Sequence, residues 1–160
     1  MYVQAVTGHN TFRVKGDVRR IFDYSADFSH IHEWDPGTVD SHSLEKDSKP
    51  GLDVGSKKKL TTVMLGLKTP CVYQILEVDK PKQIKYFSTS RYHQSWDTVT
   101  FRQVEPDEVE VDYHTKMELK NWFKVCEPFS APILLHIAKE AADGLEAKLK
   151  ELKGEVAPVR

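Results

Sequence analysis

No run of apolar residues in this 160-residue chain approaches the ~18 that a membrane-spanning helix requires. An excess of charge of either sign is also missing. The 23 basic residues stand against 24 acidic ones, so nothing general draws the chain to nucleic acid or to an anionic membrane. Cysteine is scarce. Cys71 and Cys126 fit a reducing compartment as small buried residues or free thiols. Met1 to His9 has neither a basic region nor an apolar core of the signal-peptide kind, so the cytoplasm is the expected location.

Chemical motifs are sparse as well. There is no CxxC or HExxH spacing, no Ser-His-Asp order, no Cys-His pair and no phosphate-cradling glycine loop. We therefore expect no metal and no cofactor. His30-x-His32 falls in a helical stretch, where residues two apart point in different directions. His9, His42, His114 and His136 read as surface residues. Glu33 and Asp35 are paired carboxylates beside a Pro-Gly turn and read as solvated.

What the chain does contain is strand. Val109, Val111, Tyr113, Thr115, Met117 and Leu119 alternate with polar residues, the period of a strand with one buried face. Earlier strands are expected at 11–15, 38–45 (an edge), 58–65, 67–79, 83–90 and 93–103, with the last at 108–120, separated by turns rather than helices. Lys57-Lys58-Lys59 reads as a solvated strand edge. One helical stretch, Asp17 to Trp34, follows the first strand, with Asp17 as its N-cap and Asp35-Pro36-Gly37 as its stop. A long amphipathic helix, Phe129 to Lys153, closes the chain on a stripe of Leu134, Ile137, Ala138, Ala141, Leu145, Leu149 and Leu152. Gly144 within it is either tolerated or required by a close approach to the backbone. One domain is expected over residues 1–160, with a core at 10–152 and a frayed tail at 154–160.

This order resembles the helix-grip fold. Val18 to Pro36, with Ile21-Phe22-Asp23-Tyr24 and Glu33-Trp34-Asp35-Pro36, is similar to the start of START-like (SRPBCC) proteins of the polyketide cyclase/dehydrase type. Ser95 to Phe101, Val109 to Tyr113, Glu118 to Asn121 and Ala142 to Leu145 resemble the last strands and terminal helix of that family. The acidic turn Glu105-Pro106-Asp107 departs from it, since relatives often carry glycines there. The resemblance implies an α+β fold of birch-allergen/START-like type: a curved antiparallel sheet of about seven strands wrapped around the C-terminal helix. Relatives include carriers of hydrophobic ligands, lipid-transfer domains, quinone-binding proteins, aromatic polyketide cyclases and chaperone co-activators. They share no catalytic motif, so the resemblance carries no active-site residue onto this chain.

The leading expectation is a non-enzymatic carrier of a small hydrophobic molecule (lipid, sterol, quinone or polyketide-like), held between sheet and helix by apolar burial. Trp34, Tyr73, Tyr86, Trp96, Tyr113, Ile137 and Ala141 are the expected lining. An enzyme alternative is a cyclase, dehydratase or hydrolase of a polyketide-like substrate, without metal, in which His93, with Tyr86 or Arg91, moves a proton. A third is a protein-interaction module reading its partner through an exposed Met64-Leu65. The apolar hairpin Val63 to Leu67 could equally serve as a lid, touch a membrane transiently or tuck under the helix. Oligomeric state is left open.

Overall fold

The computed structural model describes residues 5–43, 53–64 and 66–155. Strand β1 (Val6–Lys15) leads to helix α1 (Val18–Ala26), a 3-10 turn (Phe28–His30) and the short helix α2 (Ile31–Trp34). Six strands follow: β2 (Thr38–Ser43), β3 (Lys57–Met64), β4 (Leu67–Asp79), β5 (Gln83–Ser90), β6 (His93–Glu105) and β7 (Glu108–Leu119). A second 3-10 turn (Asn121–Cys126) then enters α3 (Glu127–Glu155).

All neighbouring strands pair antiparallel, in the order β1-β7-β6-β5-β4-β3-β2. The sheet curls into a half-barrel around α3, the helix-grip architecture the sequence implies. The local signals work as expected. The Asp17 carboxylate caps α1 by accepting from the Arg19 and Arg20 amides at 3.0 and 3.2 Å. Gly66 takes φ +78° at the β3–β4 turn, a conformation in which a Cβ is strained.

Several boundaries differ. β1 starts at Val6, because Val6 and Gly8 continue the buried alternation of Phe12 and Val14. α3 runs from Glu127 to Glu155, two residues longer at each end than expected. The tail beyond residue 155, most of the Asp47–Gly55 loop, and Leu65 lie outside the described residues. The lysine run is not a sheet edge. β2 pairs with β3, placing His42 against Lys59 and Ser43 against Lys58, and β2 forms the edge instead.

The concave face changes character along its strands. At one end Ile84, Val99, Phe101, Val109 and Val111 pack with Phe22 and with Ala142, Leu145 and Leu149 of α3. At the other, Val6, Met117 and Leu119 pack with Leu134 and Ala138. Two glycines seat α3 on this surface. A Cβ on Gly8 would stand 3.3 Å from the Ala138 Cβ, and one on Gly144 would stand 1.9 Å from the Trp34 carbonyl oxygen. Gly144 is therefore required, because helix α3 lies directly against the backbone of α2.

Candidate functional site

Between the two cores lies a cavity of about 80 Å³. α3 supplies its roof with Leu134, Ile137, Ala138 and Ala141. β6 and β7 supply the floor with His93, Ser95, Asp97, Tyr113, Thr115 and Met117. Tyr73 of β4, Thr62 to Met64 of β3, and Asp35 and Gly37 of the turn after α2 close the side. The volume exceeds the ~10–15 Å³ one water occupies and falls below the ~150 Å³ of an engineered cavity that takes benzene. It suits a small molecule, or one end of a larger one.

The floor is polar for a local reason. Side chains alternate across a strand, and on β6 the inward set reads Ser95, Asp97, Val99, Phe101. Half of that set is apolar and packs solidly; the other half faces the cavity. Ser88 of β5 and Ser95 share a hydrogen bond of 2.7 Å, and Ser95 Oγ donates to Asp97 Oδ2 at 3.0 Å. Burial pushes the Asp97 carboxyl up to about 7, against the pull of hydrogen bonds from Thr115 and Ser95, and nearby Asp35 adds to the rise. Asp35 accepts from the Gly37 amide at 2.9 Å and from Thr38 Oγ1 at 2.8 Å. Its carboxyl is raised as well, chiefly by burial. A carboxyl that titrates near neutrality can bind a donor or exchange a proton at ordinary pH.

Of the expected lining, the cavity wall brings together Tyr73, Tyr113, Ile137 and Ala141. Tyr86 stands behind that wall, its hydroxyl hydrogen-bonded to Tyr113 at 3.0 Å and its ring 5.2 Å from Phe28. Burial holds both phenols neutral, far above their ordinary range. Trp34 is a core residue, 6% exposed, whose buried indole Nε1 has no hydrogen-bond partner among the described residues. Trp96 requires correction. Ser95 and Asp97 point inward, so Trp96 between them points outward, 5.2 Å from Phe87 and 5.1 Å beneath the Lys116 Nζ.

The expected proton-moving group is not assembled. His93 does border the cavity, with Nδ1 2.9 Å from Ser90 Oγ, and burial beside Lys120 lowers its pKa. Tyr86 sits opposite Asp97, four residues along β6, or about 13 Å away at the strand rise. Arg91 is exposed in the turn, with its guanidinium 6.0 Å from the Tyr92 ring centroid. The sequence reading missed Asp97 and Ser95, and it took Asp35 for a solvated residue.

Among the described residues one group gathers metal-ligating atoms. His9 of β1 with Asp112 and His114 of β7 place them within 4.8 Å of one another on the outer face of the sheet, behind the floor residues Tyr113 and Thr115. His9 and Asp112 hydrogen-bond each other, and the two imidazoles stack at 3.7 Å. Exposed apolar side chains gather at another place the sequence reading did not mark. Trp122, Val125 and Phe129, at the entry to α3, are 69%, 71% and 84% exposed. The hairpin tip is divided, with Val63 and Met64 on the cavity and Leu67 exposed. No described helix is long and apolar enough to cross a membrane.

A half-barrel sheet gripping a terminal helix, with a cavity between them, defines a helix-grip protein of the START-like class. The chain belongs to the polyketide cyclase/dehydrase and lipid transport family, which matches residues 6–157. Among solved structures it is similar to the Zhui aromatase/cyclase from Streptomyces sp. R1128, at TM-score 0.77 and 12% identity over 96% of this chain and 97% of that one. A START superfamily protein from Mycobacterium smegmatis superposes at 0.73 with 16% identity, covering 91% and 98%. A norcoclaurine synthase from Thalictrum flavum does so at 0.62 with 17% identity, covering 95% and 99%. At these identities the likeness is one of fold. A search of curated protein sequences finds no match.

Proposed function

We propose that this protein binds a small, mainly apolar molecule in the cavity between α3 and the sheet. The carrying observation is the gap itself. Two separate apolar cores flank a space with an aliphatic roof and a polar floor, where continuous packing would be expected of a sheet and helix joined only for stability. The aliphatic wall supplies apolar burial at about 25 cal/mol per Å², and the floor hydroxyls and carboxyls orient the occupant. The free thiols Cys71 and Cys126 suit a reducing compartment, so we place this activity in the cytoplasm. Native mass spectrometry of protein purified from its own host tests the reading. A co-purified small molecule is expected, displaced by added one-ring aromatics; no bound species, and no binding of such aromatics by NMR titration, would overturn it.

One feature favours an enzymatic second reading: Asp97 is a carboxyl on the cavity floor whose pKa burial pushes up to about 7. In a cyclase or dehydratase it would serve as general acid or base, replacing the His93–Tyr86 arrangement. The interaction-module reading has less support, because Met64 packs against the buried cluster of Val6, Met117, Leu119, Leu134 and Ala138.

A further inference from the structure

The cavity's charge balance says what kind of polar end its occupant carries. Asp97, 5% exposed, lies on the floor, and Asp35 lies at the side. Among the described residues no lysine or arginine stands in the lining, and His93 there is held toward the neutral form by burial and by Lys120. Among the described residues the two carboxyls receive hydrogen bonds from neutral donors: Ser95 and Thr115 on Asp97, Thr38 and the Gly37 amide on Asp35. An ionised carboxylate offers about four acceptor positions. Each of these therefore retains acceptor capacity toward an occupant, with no cation beside it.

Resting on the ligand-binding reading above, we propose that the cavity selects amphiphiles whose polar end donates hydrogen bonds, a protonated amine first and a hydroxyl second, and rejects those ending in a carboxylate. A buried anion without a cation is costly, and a bound ammonium removes that cost. A carboxylate end would bring another acceptor-only group against these carboxyls, with no basic group in the described lining to receive it. The aliphatic roof takes the start of the apolar body; the small volume holds the polar end and its nearest carbons, and the rest of the body lies beyond the cavity. A carrier of fatty acids would need the opposite charge arrangement at its floor.

The test uses three probes with one body: benzylamine, benzyl alcohol and phenylacetate, titrated into the full chain at pH 8 and followed by amide chemical shifts. Benzylamine is expected to bind at least about tenfold more tightly than phenylacetate, with benzyl alcohol between them. The largest shifts are expected at Ser95, Asp97 and Thr115. In Asp97→Asn the amine's advantage over the alcohol should shrink, leaving what Asp35 alone supplies, while the alcohol still binds. The wild-type ranking needs no variant, so a poorly folded Asp97→Asn would not remove the test. If benzyl alcohol binds but phenylacetate binds as tightly as benzylamine, the charge inference fails and the ligand-binding reading stands. If none of the three binds, both fail together.

Discussion

Asp97 is a carboxyl whose proton is held more tightly in the folded chain than in the unfolded one. Its folded pKa of about 7 lies above the ordinary aspartate value near 4, with burial the chief cause. The contribution this makes to stability is fully present below about pH 4 and is lost as pH rises toward 7. Asp35 acts in the same direction, whereas His93, lowered by burial, costs stability when it protonates on the acid side. A wild-type profile mixes all three, so the comparison of wild type with Asp97→Asn isolates one. Between pH 5 and pH 8 the variant is expected to gain on wild type by about 2–3 kcal/mol in urea unfolding. A difference that stays constant over that range would show that Asp97 ionises freely in the fold.

α3 depends on contacts that helix propensity alone would misjudge. Replacing a mid-helix glycine by alanine ordinarily gains up to about 1 kcal/mol. At Gly144 the new Cβ would meet the Trp34 carbonyl oxygen at 1.9 Å, so α2 and α3 must separate. Gly144→Ala is therefore expected to destabilise by about 1–3 kcal/mol in urea unfolding, and a neutral or stabilised variant would show that the two helices are not in contact. The sequence offered both accounts of Gly144 and could not choose, because the contact joins residues more than a hundred apart. Strands and helices themselves were legible, since periods of 2 and 3.6 are local. The Asp97 orientation was legible too, though missed. Val99 and Phe101 fix the parity of β6, and that parity turns Ser95 and Asp97 inward and Trp96 outward. Asp35 was not legible, because the cavity it borders is completed by α3 and by strands β3, β4, β6 and β7, distant in sequence. The same holds for His9, which reaches Asp112 and His114 only through the β1–β7 register.

The whole molecule keeps a cavity because its roof cannot sink onto its floor. Gly8 against Ala138 and Gly144 against Trp34 fix the height of α3 at two points, on either side of Ala141. Between these supports the helix presents Ala141, whose side chain is too short to fill the cavity beneath it. Ala141→Leu adds three carbons at that point without touching either support. Their burial is worth up to about 2 kcal/mol, and crowding would cost about 1–3 kcal/mol. Unfolding stability should thus stay close to that of wild type, while benzyl alcohol binding falls by about tenfold or more because its space is taken. Unchanged stability with unchanged binding would place the occupant elsewhere on the protein. Lost binding with intact folding would mean that α3 serves as the roof of a binding site, beyond its part in the core.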